Sequence, residues 1–457
     1  MADTSLLDDD RYELDTGTVR AILDAVEAGA ADQLAELMTP LHAADIADLL
    51  EQVDSDQRQE ILKLFEPGMD GEILSEIDES IREEVIETLS PEVLGEAVRE
   101  LESDDVVDIL EDLDDAQHEQ ILGALDDSDR LAVEQAMAYP EFSAGRLMQR
   151  EIVAGPEHWT VGEAIDYMRA HDDLPDEFYH VILVDPMHRP TGYVMLGKVL
   201  ANRRETKLKS ITEDTFQTIE AMEDEAEVAY AFNQYHLISA PVVDEDGRLV
   251  GVITIDDAMV VLDEEHEEDI LRLAGVSDES SLADKVIATT KRRFPWLAVN
   301  LVTAVLASLV ISVYEDAITK LVALAVLMPI VASMGGNAGT QSLTVAVRAI
   351  ATKDLTGSNV WRVIRREVLV GLVNGTIFAV VMGIVGVLWF GSPLLGVVIG
   401  AAMIINLVVA GFAGAGIPVL LEKLNIDPAL ASGAFVTTVT DVVGFFSFLG
   451  LAAWVLL

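Results

Sequence analysis

The N-terminal third of the chain carries an apolar residue at every twelfth position. Most of these positions are followed, eight and nine residues later, by an aliphatic pair such as Leu49–Leu50 or Ile109–Leu110. The recurring positions are Leu41, Val53, Phe65, Ile77, Leu89, Leu101, Leu113 and Leu125. Helix-starting residues lie between the repeats. Helices this short are unstable alone, so we predict that they stack their aliphatic pairs into an α-solenoid over about residues 17–137.

A different pattern follows. The stretch "FYHVILVDPMHRPTGYVML" predicts strand, turn and strand, and "LISAPVVDEDGRLVGVITIDDAMVVL" repeats this plan about sixty residues later. These two β-α-β-β-α units, at 138–200 and 201–262, resemble a tandem pair of CBS domains. Gly251, Thr254 and Asp257 carry the resemblance in the second unit. The first unit has Gly192, but Gly197–Lys198 stands where an acidic residue is usual.

The remaining chain is predicted to be helical. Residues 263–293 read as one long charged connecting helix, and residues 1–16 are predicted to be disordered. Residues 294–457 form a membrane domain of five apolar spans, each long enough to cross about 30 Å of hydrocarbon. The spans are about 294–313, 317–351, 360–389, 393–422 and 427–457. The predicted fold is thus multidomain: an α-solenoid, a tandem α+β CBS pair, a long connecting helix and an all-α membrane domain.

Charge sets the expected orientation. No signal peptide is visible, since the first ten residues are acidic and lack an apolar core. The loop between the second and third spans holds five basic residues, which the positive-inside rule places in the cytoplasm. These residues are Arg348, Lys353, Arg362, Arg365 and Arg366. We therefore expect a multi-pass plasma-membrane protein with a cytoplasmic N-terminal part and an external C-terminus.

The formal net charge of −51 is confined to one part of the chain. Residues 294–457 hold seven acidic and seven basic residues, whereas residues 1–293 hold 73 acidic and 22 basic ones. Such a surface repels nucleic acid and attracts cations. Two interpretations stay open: solvated acidity adapted to a high-salt cytoplasm, or a sensor of divalent cations.

Catalytic and redox patterns are absent from the sequence. It has no cysteine, which excludes disulfides and thiol chemistry. It has no Walker A loop, no H-E-x-x-H and no G-x-S-x-G motif. We expect that the protein is not an enzyme.

Asp441 is the strongest candidate for a functional residue, because it lies near the middle of the fifth span in "FVTTVTDVVGFF". A carboxylate at that depth usually marks an ion path. In a dimer, two copies would face one axial pore, and Mg²⁺ suits such a pair because it keeps most of its waters.

The second span contains "PIVASMGGNAGTQS", which is unusually polar for a membrane helix. Its glycines allow helices to approach closely, and its amides can face coordinated water. The predicted pore-lining residues are Gly335, Gly336, Asn337, Gly339, Gln341 and Thr437. Pure helix packing is the alternative explanation for the glycines.

These motifs and their order resemble the MgtE family of magnesium channels over essentially the whole chain. The resemblance implies a homodimer with its pore on the two-fold axis, Mg²⁺ bound by Asp441, and a gating plug formed by the helix at 263–293. It also implies Mg²⁺ sensor positions at Asp104, Asp108, Asp257, Glu265, Glu268 and Asp269. His236 and Val260 depart from the family pattern, since acidic residues stand there in the family.

The sensor hypothesis also has an independent physical basis. Asp104 and Asp108 lie four residues apart on one helix face, where like charges repel. If such faces approach each other, divalent ions must neutralise them, and without ions the faces separate. The alternative for any one of these residues is a solvated acidic surface.

The sequence thus predicts a metal-gated, homodimeric magnesium channel or transporter. One alternative keeps the architecture but carries Co²⁺ or Mn²⁺. Another is a membrane-anchored metal or nucleotide sensor without transport. The CBS pair further predicts an adenine nucleotide, ATP, with Thr254 and Asp257 nearest its ribose or phosphate.

Overall fold

The computed structural model describes residues 14–111, 113–171, 174–175, 178–213, 216–276 and 286–457. Two compact units are present, Met1–Glu265 and His266–Leu457. The predicted disordered segment lies mostly outside the described residues, and the first helix begins at Thr16, capped by the Asp15 carboxylate.

The first unit opens with ten short helices. They are α1 Thr16–Glu27, α2 Ala31–Met38, α3 Ala43–Gln52, α4 Ser55–Phe65, α5 Gly71–Ser75, α6 Glu79–Thr88, α7 Pro91–Val98, α8 Ser103–Glu111, α9 Asp115–Ala124 and α10 Asp127–Ala136. From α6 onward a helix begins every twelve residues, which is the period of the sequence pattern. Helix α1 packs mainly on α2, and most of the later helices pack on the next but one, so the aliphatic pairs form one continuous core.

Two buried arginines connect successive helices of this solenoid. Arg58 on α4 donates from Nε to the Leu50 carbonyl at the end of α3, at 2.7 Å, and from Nη1 to Glu84 on α6. Arg82 on α6 donates from Nε to the Ile77 carbonyl, at 3.2 Å. The guanidinium groups thus satisfy carbonyls that the short helices leave open at their ends.

Two three-stranded sheets complete the first unit, and the helix that follows the second sheet runs past Glu265 into the second unit. Their elements are α11 Ala144–Leu147, β1 Ala154–Pro156, α12 Val161–Ala170, β2 His180–Val184, β3 Pro190–Met195, α13 Leu196–Ala201, β4 Ile219–Glu220, α14 Glu225–Tyr235, β5 Ser239–Val243, β6 Leu249–Thr254 and α15 Ile255–Leu273. In each sheet the first two strands are parallel and the last two antiparallel. The register His180↔Met195 recurs as Ser239↔Thr254, with a bulge at the same place.

The two CBS units exchange segments, which the linear boundaries 138–200 and 201–262 did not anticipate. Met148 packs into the core of the second sheet, and Leu208 packs into that of the first. Gly251 allows this crossing, because a Cβ there would lie 2.4 Å from the Met148 sulfur. The predicted boundaries therefore match the repeat in the sequence, but they do not match the sets of residues that form the two hydrophobic cores.

The predicted connecting helix differs from the structure. Instead of one helix over 263–293, α15 starts eight residues earlier, at the end of β6, and ends at Leu273. Gly275 follows with φ +72°, a left-handed conformation that stops the helix. The next helix begins at Val286, and residues 277–285 lie outside the described part of the chain.

The second unit contains five helices that are long and apolar enough to cross a membrane. Its elements are α16 Val286–Val313, α17 Glu315–Lys320, α18 Ala323–Ala351, α19 Val360–Phe390, α20 Pro393–Lys423 and α21 Pro428–Leu456. The predicted second span began at 317, but a break at Leu321 (φ −134°, ψ 85°) separates the polar helix α17 from α18. The fold class predicted from the sequence is confirmed in its multidomain, five-helix outline.

Helix α20 is the centre of the membrane bundle and packs against α18, α19 and α21. Asn406 on α20 is fully buried and donates from Nδ2 to the Val331 carbonyl of α18, at 2.8 Å. Gly335 on α18 and Gly444 on α21 both lie against this amide. The small residues therefore make room for a polar side chain that ties the helices together.

Replacing Gly335 with alanine should disrupt this packing. A Cβ at Gly335 would lie 2.1 Å from Asn406 Nδ2, whereas nothing lies within 4 Å of one at the adjacent Gly336. We expect Gly335→Ala to destabilise the bundle by about 1–3 kcal/mol, as overpacked cores do. Gly336→Ala should leave the thermal midpoint of the detergent-solubilised protein unchanged. Equal midpoints for the two variants would contradict this packing.

Candidate functional site

Helix α18 exposes a polar stripe. Ser333, Asn337, Thr340, Gln341 and Thr344 are all exposed and recur at helical spacing on one face. Lipid tails cannot form hydrogen bonds with amide and hydroxyl groups. This face of a spanning helix must therefore contact water or another protein surface. Asn337 and Gln341 lie on this exposed face, and their pore-lining role stays a prediction.

The predicted glycines divide into two groups. Gly335 and Gly339 are buried, Gly335 against Asn406 and Gly339 against Val436 and Thr440 of α21. They are packing positions, which corrects their assignment as pore-lining. Gly336 has open space beside it and stays compatible with a pore wall.

Asp441 lies on α21, which packs against α18, and its side chain is half-buried. Within the described residues, nothing donates a hydrogen bond to its carboxylate. Thr437, one turn earlier, donates its hydroxyl to the Gly433 and Ala434 carbonyls at 2.9 and 3.1 Å. The Thr437 oxygen still has acceptor capacity, but its proton is used within the helix.

A second acidic side chain inside the bundle was not singled out from the sequence. Glu367 on α19 is 8% exposed and accepts a hydrogen bond of 2.9 Å from the Ser342 hydroxyl of α18. The sequence carried a signal for it, since Glu367 is an acidic residue inside the third apolar span.

The C-terminal end of α15 packs on the first turns of α21 and the last turns of α18. Leu273 joins a buried cluster with Leu343, Val347, Ala429 and Val436. These contacts occur where the two helices that carry the polar stripe and Asp441 approach their loops. The end of α15 therefore contacts both the helix that carries the polar stripe and the helix that carries Asp441.

An ion-pair network holds the same end of α15. Arg272 lies 3.2 Å from Asp427, the residue that caps α21, and 2.7 Å from Glu268. Burial and the neighbouring Asp427 raise the pKa of Asp269. Glu268 is thus neutralised by a chain residue, whereas Asp269 faces a like charge.

Six carboxylates gather between α8, the start of the CBS pair and the start of α15. We call them the Asp257 cluster; its members are Glu102, Asp104, Asp105, Glu151, Asp256 and Asp257. Burial, then mutual repulsion, raises the pKa of Glu102 and Asp105 to about 7 each. The pKa of Asp104 is also raised well above its ordinary range. The main cause is burial, and the second is the nearby charge of Asp257.

A second gathering, the Glu225 cluster, joins the end of α8 to α14 and α15. Its members are Glu111, Asp224, Glu225, Glu264 and Glu265. Burial, then Glu111 and Glu264, raise the pKa of Glu225 to about 8. Arg146 pairs with Glu111 at 2.6 Å and neutralises part of the charge.

The structure therefore brings some predicted sensor residues together and separates others. Asp104 and Asp257 share one cluster, and Glu265 belongs to the other. Asp108 pairs instead with Arg82, at 2.8 Å. Within the described residues, no three of these carboxylates converge tightly enough to ligate one metal directly.

The predicted nucleotide residues bond to each other. Thr254 Oγ1 donates to Asp257 Oδ2 at 2.5 Å, at the start of α15. Thr254 also lines a cleft between the two CBS sheets, with His180 and Ser239. The cleft holds about 20 Å³, well below the roughly 300 Å³ of small-molecule pockets. At the matching position of the first unit, Lys198 pairs with Glu213 at 2.8 Å.

The raised carboxylate pKa values predict an unusual pH dependence in the absence of divalent ions. The folded clusters bind protons up to about pH 7 or 8, whereas the unfolded carboxylates release them near about pH 4. The stabilising contribution is complete below about pH 4 and is lost as pH rises through 6–8.

Urea unfolding of the chelator-treated protein, followed from pH 5 to pH 8, measures this effect. The free energy of unfolding of the first unit should fall as pH rises, and saturating Mg²⁺ should flatten the slope. Glu225→Gln should remove the part of the slope nearest pH 8. A metal-free stability that increases with pH would refute the repulsion.

Comparison with known proteins finds matches in the solenoid, in the CBS region and in the membrane domain. The family model described as a divalent cation transporter, MgtE, matches residues 328–451. The model of the MgtE intracellular N domain matches 41–142, and a CBS domain model matches 208–264. A crystal structure of the cytosolic domain of the Mg²⁺ channel MgtE in complex with ATP is 29% identical, with a TM-score of 0.49. It is matched over its whole length and covers 53% of this chain.

Three curated relatives are each named magnesium transporter MgtE. The Bacillus subtilis protein is 31% identical over 76% of this chain and 77% of its own length. The Enterococcus faecalis protein is 34% identical over 70% and 71%. The Thermus thermophilus protein is 34% identical over 76% and 78%. These matches confirm the resemblance found in the sequence, and the chain belongs to the MgtE family of magnesium transporters.

Proposed function

We propose that the chain forms a homodimeric Mg²⁺ channel of the plasma membrane, with Asp441 at the ion path and cytoplasmic Mg²⁺ as the closing signal. The observation that carries the proposal is the exposed polar stripe of α18, on a helix packed against the one that carries Asp441. A membrane anchor has no need of either feature.

The dimer follows from surfaces that a single chain leaves uncovered. The α18 stripe requires a polar or wet neighbour, which a second copy around an axial pore provides. In the first unit, Leu200 and Met259 occupy equivalent positions of the two CBS repeats and are 76% and 56% exposed. Large apolar side chains at equivalent positions on an acidic surface favour a symmetric interface with a second copy.

The ion assignment rests on coordination chemistry. Mg²⁺ dehydrates reluctantly and prefers one or two carboxylates together with its own waters. Two copies of Asp441 and the α18 amides match this need. Co²⁺ and Mn²⁺ are the alternative cargo, since carboxylates also suit Mn²⁺. The membrane potential alone supplies about 4.6 kcal/mol per 100 mV for a divalent ion moving inward.

Gating follows from α15. Its C-terminal end packs on the ends of α18 and α21 through Leu273, and its N-terminal end belongs to the Asp257 cluster. Cytoplasmic Mg²⁺ neutralises the clusters and keeps α15 seated. When Mg²⁺ is scarce, repulsion separates the carboxylate faces and unseats the helix, so the channel opens. The basic residues around the α18–α19 connection support a cytoplasmic location for α15 and an external C-terminus.

ATP binding stays a prediction for this chain. A nucleotide would have to widen the cleft beside Thr254 and displace the bond between Thr254 and Asp257. Because Asp257 also belongs to a carboxylate cluster, a bound nucleotide would alter the Mg²⁺ response. Binding of ATP and sensing of Mg²⁺ would then be linked through this one side chain.

Asp441→Asn tests the ion path. The amide keeps the side-chain shape and removes the charge that compensates the ion for lost water. We therefore expect Mg²⁺ uptake into sealed proteoliposomes to fall at least about tenfold. The matched control, Asp316→Asn, removes an exposed carboxylate from the same unit and should transport normally. Wild-type uptake by Asp441→Asn would overturn the assignment, and absent uptake by the wild type would favour a sensor without transport.

Asp104→Asn with Asp257→Asn tests the gate. Neutral amides remove the repulsion between the buried carboxylates. The full-length double variant without Mg²⁺ should therefore resist limited proteolysis to the same extent as the wild type in the presence of Mg²⁺. The control pair, Asp127→Asn with Asp129→Asn, changes exposed carboxylates on α10 and should keep the Mg²⁺ response. KCl at equal ionic strength separates specific binding from screening. An unchanged Mg²⁺ response in the double variant would assign these acids to surface solvation.

A further inference from the structure

A groove of about 540 Å³ runs along one face of α19, and its two ends differ in chemistry. Arg362, Arg365 and Arg366 line the end nearest the α18–α19 loop. Leu369, Val370, Val373 and Asn374 line the rest, and each of the three apolar side chains is between 44% and 58% exposed. The groove thus combines three cationic groups with an apolar wall.

The arginines lack a counter-charge within the described part of the chain. None of the three forms an ion pair there, although Glu367 follows Arg366 directly. Glu367 points into the bundle instead, where it accepts the hydrogen bond from Ser342. Guanidinium groups gathered on one exposed face are suited to a phosphate, because they donate in a planar fork that matches its oxygens.

The depth of the groove indicates where that phosphate belongs. Helix α19 has 31 residues and is therefore about 46 Å long, which spans both headgroup layers as well as the hydrocarbon. The arginines lie in its first two turns, at headgroup depth, and the exposed Leu369, Val370 and Val373 lie at the start of the hydrocarbon. A free phosphate ion or a nucleotide would leave this apolar wall unused.

We propose that the groove binds an anionic phospholipid. Its headgroup phosphate lies on Arg362, Arg365 and Arg366, and an acyl chain covers Leu369, Val370 and Val373. Basic pockets at the cytoplasmic ends of spanning helices select anionic lipids in this way. The inference does not depend on ion transport, because it uses only the charge, exposure and depth of α19.

Native mass spectrometry of the full-length protein tests the proposal. The protein is released from mixed micelles that contain equal phosphatidylglycerol and phosphatidylcholine, and the retained lipid is counted. We expect the wild type to retain phosphatidylglycerol at least about tenfold better, since each basic residue near the surface favours anionic lipid. The triple variant Arg362→Gln, Arg365→Gln, Arg366→Gln should lose this preference.

Two further variants separate the headgroup contact from general charge and from the apolar wall. Arg348→Gln with Lys353→Gln removes basic residues at the end of α18 and in the adjoining loop that do not line the groove, and should keep the preference. Val373→Trp fills the apolar half while keeping all three arginines, and should reduce retention of the lipid. Circular dichroism and size-exclusion chromatography confirm that each variant is folded.

Four results would overturn the proposal. They are equal retention of the two lipids by the wild type, wild-type preference in the triple variant, equal loss in the loop control, and displacement of the lipid by inorganic phosphate. The last would identify a site for free anions. Retention of an acidic peptide in place of phosphatidylglycerol would instead identify a protein-docking surface.

Discussion

Carboxylates packed against one another must be neutralised, and this constraint controls the first unit. Glu102, Asp104 and Asp257 are removed from water close together, so each raises the energy of its charged neighbours. The chain has few cations to spare, since residues 1–293 contain 73 acidic and 22 basic residues. Arg82 and Arg146 are already committed to Asp108 and Glu111. Protons or cations from solution would offset the remaining charge, and this requirement is the physical basis of the proposed Mg²⁺ response.

Burial also distinguishes the two explanations of the acidic composition. Acids exposed on the solenoid, such as Asp127 and Asp129, are solvated and respond to any salt. Asp104 is only 8% exposed, so the diffuse ion atmosphere screens it poorly. In concentrated monovalent salt the Debye length falls to about 3 Å, and surface repulsion nearly vanishes. A switch that works under those conditions has to rely on buried carboxylates and on ions that reach them directly.

The sequence predicted the solenoid well because its signal is local: a twelve-residue period and aliphatic pairs, which appear as helices beginning at Glu79, Pro91 and Ser103. It missed features that depend on distant contacts. Met148 crosses to the second CBS core because Gly251 leaves room for it, and no local pattern reports such an exchange. Asn406 was missed for the same reason, although its amide explains Gly335. The connecting helix was misplaced because charged residues continue past Leu273, whereas Gly275 ends the helix.

Helix α15 gives the separate carboxylate sites a common mechanical element. It carries Asp257 at its start, Glu264 and Glu265 in its middle, and Arg272 and Leu273 at its end. Nineteen residues make a rod of about 28 Å, in which the hydrogen-bonded backbone resists local bending. Under the proposed gating, a displacement forced at Asp257 would reach Leu273 through this one helix. Coupling would then need no chain of side-chain rearrangements, only two positions of the helix whose balance cations would shift.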